Sequence, residues 1–526
     1  MHRFKGQNSV IVIAGYFGYG NLGDEAILTG MLEDLKDTLP QAECVVVSGD
    51  PAQTTKSHGK QAVGWDDLPS IIEAVRNSDL LIVGGGGLFH DYWPIDSHEF
   101  LSSATNGLAS YLSLPLLSAM LRKPSMAYSV GVGPLRSASA RNYVRFAFDS
   151  FSAIAVRDDE SAALLRSLRA NLPSGADPVV TADPAFLLKA VPIDDARAVL
   201  SEAGVDLRRP VCGVNLRHWD FGVDPARWES EVAQALDRWA EQHDGQIVFV
   251  PLQQAIRTPY EDDRLVCERV QAAMRSESRM LGWQREPELA AAVFAVCTVN
   301  LTMRMHGALF SLLGGVPAVG LSYDNKVANL FKRANLASFS FSIETLNALE
   351  ICEALNLASA MRNPDAMAAV VEEMRDLAGH STQIAVELLE SAEVPQSGYA
   401  YGFSDLAFEK AFLLNKAEEI FEAFELRVER LLKHQSQDEG TLEIAAHQPQ
   451  DHAGLESLNR QLGKIEDQIR KAQIERRNER KAMKSTITEL RSEREDLRNE
   501  IDATAAMIRS LQSTVGMKIL AKYWLW

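Results

Sequence analysis

The chain has 526 residues, 46% hydrophobic and 24% charged, with a formal net charge of -18. That length exceeds what one core organises, so two or three domains are expected of an ordinary globular composition. The negative balance argues against nucleic acid as a partner, so any anion must be held by a few local basic groups. The five cysteines (Cys44, Cys212, Cys267, Cys297, Cys352) form no C-x-x-C pair, which points to a reducing compartment and away from a disulfide framework or a zinc cluster.

The opening stretch "MHRFKGQNSVIVIAG" has too short an apolar run for a secretory leader and reads as a first strand. No run approaches the roughly 18 apolar residues of a membrane span, so a cytoplasmic protein is expected. From Ser9 to Phe186, short apolar runs alternate with amphipathic stretches, the pattern of a helix-covered parallel sheet. These runs are "VIVIAG", "CVVVSG", "DLLIVGGGG", "SMAYSVGVG", "AIAVRD" and "VVTADPAF". In "GYFGYGNLGDEAIL", Gly18, Gly20 and Gly23 spell the G-x-G-x-x-G of a dinucleotide loop, and Asp50 ends the next run like a ribose-binding carboxylate. Asp24 and Glu25 oppose that reading, because two carboxylates at the helix start repel a diphosphate. A loop carrying Asn21, Asp24 and Glu25 must therefore hold something other than a dinucleotide.

A second series, "VCGVNLR", "QIVFVPLQQ", "AAVFAVCTVNLTMRMHG" and "VPAVGLSY", begins near Pro210 and predicts another such domain. The expected division is a first Rossmann-like domain over residues 1–190 and a second over 205–375, joined by "VPIDDARAVLSEAGVDLRRP" with a helix in its middle. Helix is expected over 376–435 and a polar linker containing Pro449 over 436–453. Apolar residues then recur at heptad spacing over 454–515, from Leu455, Leu458 and Leu462 to Ile508 and Leu511. They predict a coiled coil that pairs two chains into a homo-oligomer. The tip, 516–526, sets Lys518 and Lys522 among Tyr523, Trp524 and Trp526, a composition suited to peripheral contact with a membrane interface or a partner.

Open α/β sheets collect ligands at the carboxyl ends of their strands, and the chemistry-bearing residues cluster there. Arg304 and His306 lie at the turn after "TVNLT", Lys326 follows one strand later in "SYDNK", and Arg217 ends "VCGVNLR". A guanidinium grips carboxylate or phosphate in bidentate fashion, and an imidazole passes protons near neutrality. In the first domain, Gly86 within "GGGGLFHD" offers backbone amides to a ligand. Arg157 ends "AIAVR", and Asp183 in "TADPAF" reads as a turn residue before Pro184. Gln253 and Gln254 add neutral hydrogen bonds to the same edge.

Taken in order, "GYFGYGNLGDEAIL", "GGGGLFHD", "SVGVGPL", "AVRDDES", "TADPAFLL" and "RMHGALFSLLGGVPAVGLSYDNKV" resemble the polysaccharide pyruvyl transferase family over Val10 to Ala334. The resemblance implies two Rossmann-like domains in a GT-B-like arrangement. It also implies transfer of pyruvate from phosphoenolpyruvate to a sugar in a growing surface polysaccharide or its lipid-linked precursor, at the inner face of the membrane. Ketal formation needs a proton donor and an anion clamp: His306 suits the first, and Arg217, Arg304 and Lys326 the second. Asn21, Asp24, Glu25, Gly86 and Arg157 would bind substrate from the other domain. No metal and no cofactor beyond the donor is required. The rival readings are a GT-B nucleotide-sugar glycosyltransferase or epimerase, and a coiled-coil scaffold for envelope-synthesis enzymes.

Overall fold

The computed structural model describes residues 9–391, apart from 94, 96–98, 103–106, 170–176, 190–191, 255–258, 285 and 362–363. The expected linker, coiled coil and tip, and the helical segment beyond 391, lie outside the described residues.

Two parallel sheets are built from the apolar runs. The first contains β1 (Val10–Ala14), β2 (Glu43–Ser48), β3 (Gln61–Gly64), β4 (Leu80–Phe89), β5 (Ser125–Val132), β6 (Ala153–Val156) and β7 (Val179–Val180), in the order β3-β2-β1-β4-β5-β6-β7. The second contains β8 (Val211–Asn215), β9 (Gln246–Phe249), β10 (Ser278–Met280), β11 (Val299–Thr302), β12 (Ala318–Ser322) and β13 (Ser340–Ser342), in the order β10-β9-β8-β11-β12-β13. Both follow the doubly wound Rossmann order, with the switch point between β1 and β4 in one domain and between β8 and β11 in the other. The central strands are buried, Val10 at the start of β1 only in part, because helices cover both faces, which is why their sequences read as apolar runs. Together the two domains form a GT-B-like pair facing one cleft.

Three strands escape the sequence reading. β3, β10 and β13 lie at or next to sheet edges and are only partly buried, so "QAVG", "SRM" and "SFS" carry no apolar run. The long run "AAVFAVCTVNLTMRMHG" is not one strand. A helix, Pro287–Val296, ends before Cys297, β11 follows, and the helix Met305–Leu313 begins three residues after β11. The linking segment carries the expected helix, at Ile193–Glu202.

The expected boundary at residue 375 falls inside one helix, Pro364–Glu390, that returns to the first domain. There the Tyr128 hydroxyl meets Thr382 Oγ1 at 2.6 Å, Ser129 Oγ meets Ser381 Oγ at 2.7 Å, and Arg375 Nε donates to the Phe186 carbonyl at 3.0 Å. A second seam joins the domains at the glycine loop. Asn21 and Gln253 form an antiparallel bridge, Leu22 N donates to Leu252 O at 2.8 Å, and Gln254 N donates to Gly20 O at 3.0 Å. Backbone groups that would face a pyrophosphate in a dinucleotide site are paired across the two domains instead.

Candidate active site

The carboxyl ends of both sheets open onto one cavity of about 690 Å³. From the first domain, Asn21 caps the helix Leu22–Thr38 by accepting from Gly23 N at 3.0 Å, and it reaches the cavity wall together with Asp24. Gly23 is where the domains come closest: a Cβ there would lie 2.1 Å from Nδ1 of His306. The absence of a side chain lets the imidazole rest on the first turn of that helix. The glycines of "GGGG" serve packing more than ligand amides. They lie within β4, whose pairing with β5 shifts register, and Gly85 and Gly86 take φ of 74° and 78°. A Cβ on Gly86 would come within 2.8 Å of Asp24 Oδ1, so Gly86 makes room for that carboxylate instead of lining the cavity. Gly87 does line it, and Lys326 Nζ lies over it.

Glu25 departs from expectation. Its carboxylate accepts from Gly18 N at 2.8 Å and lies 3.3 Å from His58 Nε2, so it braces the glycine loop on the side away from the cavity. Arg157 enters the cavity wall buried, donating to Asp183 Oδ2 at 2.9 Å. Asp183, which reads in the sequence as a turn residue, is central. It caps the turn Pro184–Leu187 and holds its other oxygen 3.6 Å from His306 Nε2.

From the second domain come Arg217, Arg304, His306 and Lys326, each just past a strand end. Arg304 does not present a free fork. Its Nε and Nη2 donate to the two oxygens of Asp263 at 2.7 and 2.6 Å, and Nη2 also donates to Gln253 Oε1 at 2.7 Å. The Asp263 carboxylate in turn accepts from Leu252 N and Gln253 N, both at 3.0 Å. The expected anion clamp is thus a brace for the loop that bridges the domains, a partnership hidden by 41 residues of sequence separation. Arg217 remains available. It donates through Nη1 to the Tyr323 hydroxyl at 3.0 Å and lies over the rings of Trp219 and Tyr323 at 5.3 and 4.9 Å. Its buried Nε–H has no partner among the described residues.

The electrostatics divide these groups. Burial raises the Asp24 carboxyl to about 6, partly opposed by His306 and Arg157. Burial pushes Asp183 upward too, but His306 and Arg157 outweigh it and hold that carboxyl at about 2. Burial pulls the Lys326 ammonium below its usual range, with Asp324, 3.8 Å away, resisting and Arg157 and Arg217 adding to the pull. His90, beside them, is kept neutral first by burial and then by Lys326 and Arg217. Its Nδ1 is buried without a partner among the described residues. The cavity therefore has a cationic end of Arg157, Arg217 and Lys326, the Asp24 carboxyl and two imidazoles on its wall, with the Asp183 carboxylate buried behind Arg157 and His306. No cluster of three or more His, Cys, Asp or Glu spaced for a metal ion occurs among the described residues. The sequence reading gave Asp183 only the part of a turn residue and assigned no role to Asp263, His90 or the aromatic residues of the wall. Of these, Asp183 alone carried a signal, as a carboxylate placed at a strand end.

Residues 21–325 match the model of the polysaccharide pyruvyl transferase family, a stretch containing all of these groups except Lys326, which follows directly after it. The chain belongs to that family. It is also similar to the amylovoran biosynthesis protein AmsJ of Erwinia amylovora, with 20% identity over 394 residues, 64% of this chain and 88% of the relative. Among solved structures, Anabaena Alr3699/HepE, determined with UDP and glucose, is 12% identical and covers 72% of this chain and 99% of its own, with a TM-score of 0.46. A UDP-GlcNAc 2-epimerase from Methanocaldococcus jannaschii is 10% identical, covers 72% and 99%, and gives 0.48. Membership makes this chain a transferase of polysaccharide biosynthesis. No helix among the described residues is long and apolar enough to cross a membrane.

Proposed function

We propose that the protein moves pyruvate from phosphoenolpyruvate to a pair of hydroxyls on a sugar, forming a cyclic ketal and releasing phosphate. The observation that carries this reading is the convergence of Arg157, Arg217, Lys326 and His306 from separate strand ends of two domains on one cavity. A small dianionic ester bearing a carboxylate fits such a cluster, since Arg217 offers an unpaired N–H and Lys326 a compact charge. Asn21 and Asp24 face these groups from the other wall, where they suit hydroxyls.

The chemistry divides between the imidazole and the carboxylate. His306 gives its proton to the methylene carbon of the donor; the double-bond electrons form the new C–H bond and leave the adjacent carbon electron-poor. One sugar hydroxyl bonds to that carbon as its proton passes to Asp24. The second hydroxyl then bonds there, returning a proton to His306, while the carbon–oxygen bond to phosphate breaks. Phosphate carries off the proton from Asp24, so both groups return to their starting states. Asp183, 3.6 Å from His306 Nε2, lies opposite any charge the ring carries, and Arg217 and Lys326 meet the charge that grows on the departing phosphate, where stabilisation accelerates most.

Incubating the purified chain with phosphoenolpyruvate and candidate lipid-linked or free glycans should yield inorganic phosphate and a pyruvyl mass gain on the glycan. Release of a nucleotide from a nucleotide sugar, with no phosphate from phosphoenolpyruvate, would replace this reading with glycosyl transfer. His306→Ala should abolish turnover and leave the circular dichroism spectrum and melting temperature close to wild type. Turnover persisting in that variant would remove the imidazole from the mechanism.

A further inference from the structure

The cationic end accounts for only part of the cavity. A donor of ten heavy atoms, even at the roughly 30 Å³ that a water takes in the liquid, would fill about 300 Å³ of the 690 Å³ available. The remainder is walled by aromatic rings. Trp219 lies behind Arg217, its ring 4.4 Å from Tyr323 and 5.6 Å from Tyr92, and is 4% exposed. Phe221 continues outward at 5.0 Å from Trp219 and leads to Trp93 at 6.2 Å and Tyr260 at 6.4 Å. Trp93 and Phe221 are 54% and 38% exposed, unusual for large apolar side chains on a cavity wall, and signal a surface kept open for a ligand.

We infer that this aromatic arm is the acceptor subsite and that it takes the saccharide end of a glycan, stacking the C–H faces of sugar rings on Trp93 and Phe221. The inference rests on the pyruvyl-transfer reading for its donor end, and it names the surface that selects the acceptor. Two features favour a saccharide over the base and diphosphate of a nucleotide sugar. Acidic residues stand at the arm and oppose phosphates: the Tyr260 hydroxyl donates to Asp220 Oδ1 at 3.3 Å, and Glu261 follows Tyr260 on the cavity wall. The outer rings, among the described residues, also meet edge to face, at 89° for Trp93 on Phe221 and 72° for Phe221 on Tyr260, so they offer no parallel pair to sandwich a planar base. The arm starts at the cation that would grip the donor, because the Arg217 guanidinium stacks on Trp219. An acceptor lying along it would reach Asp24 and His306 with its terminal hydroxyls.

The test uses the full chain and an array of oligosaccharides with galactose, glucose, mannose and N-acetylmannosamine termini, followed by titration of the best ligand, of UDP and of phosphoenolpyruvate. Trp93→Ala and Phe221→Ala should each weaken oligosaccharide binding about tenfold, Trp93→Phe should restore most of it, and phosphoenolpyruvate affinity should stay within about twofold. Oligosaccharide binding unchanged in both alanine variants overturns the inference, as does an array without any ligand. UDP binding that is lost in Trp93→Ala would assign the arm to a nucleobase and overturn it too. A wild-type chain that binds oligosaccharide through Trp93 but ignores phosphoenolpyruvate would sink the donor reading and leave the saccharide arm standing.

Discussion

Asp24 is the residue where stability and activity pull in opposite directions. It is 8% exposed, no described donor engages its carboxylate, and burial raises its pKa from 3.8 to about 6. A carboxyl whose folded pKa is raised contributes stability that is fully present below pH 3.8 and is lost as the pH rises through about 6. Above that window the ionised group costs the fold on the order of 3 kcal/mol, at about 1.4 kcal/mol per pKa unit. Asp24→Asn should therefore raise unfolding free energy by about 2–3 kcal/mol at pH 8 and by less at pH 5, measured by urea titration at both. The same substitution should remove most turnover, because an amide accepts no proton from the acceptor hydroxyl. In the wild type, kcat/KM should fall on the acid side near pH 6, and residual activity of the variant should lack that limb. A destabilised Asp24→Asn, or one with wild-type kcat/KM, would show the carboxylate to be an ordinary structural group.

At the level of elements, the turn from the glycine loop into the helix Leu22–Thr38 sets how closely the domains meet. Gly23→Ala tests it because two effects compete. Alanine inside a helix gains up to about 1 kcal/mol over glycine, while its Cβ would stand 2.1 Å from His306 Nδ1 and force the ring aside. Overpacking of that kind costs roughly 1–3 kcal/mol, so the melting temperature should change little or fall modestly. A reactive group displaced by about 1 Å loses on the order of a hundredfold in rate, so kcat should drop far more than stability does. Wild-type kcat in Gly23→Ala would mean that the contact is incidental. This close approach also explains what was legible beforehand. Continuous apolar runs revealed the buried central strands, and their endings pointed to Arg157, Arg217, His306 and Lys326, which do share the cavity. The glycine spelling, set against a dinucleotide by Asp24 and Glu25, serves a cross-domain bridge and an embedded imidazole, neither of which leaves a trace in local sequence. Glu25 and Gly86 stand off the cavity wall because Glu25 accepts from Gly18 N and Gly86 makes room for Asp24, contacts that local sequence does not reveal.

For the whole molecule, the question is what keeps two separate sheets in register around one cavity. The helix Pro364–Glu390 ties back to the first domain, and Arg333 reaches across to the Thr181 carbonyl at 3.0 Å. The loop through Leu252 and Gln253 pairs with the glycine loop and is itself pinned by Asp263 and Arg304. Arg304 thus acts on the geometry of the cleft and not on one substrate. Its removal leaves Asp263, 1% exposed, as an uncompensated buried charge, for which about 3–5 kcal/mol is typical. Arg304→Ala should lose stability on that scale and raise KM for donor and acceptor alike, with kcat reduced. Arg304→Lys should recover little, because one ammonium does not reproduce a fork that meets both Asp263 oxygens and Gln253. Pairing Arg304→Ala with Asp263→Asn should cost less than the two single losses added together, since the double variant leaves no unpaired ion. Urea titrations of the four chains, with both KM values for each, decide the matter. A rise confined to the donor KM, at wild-type stability, would return Arg304 to the role of a clamp on phosphoenolpyruvate.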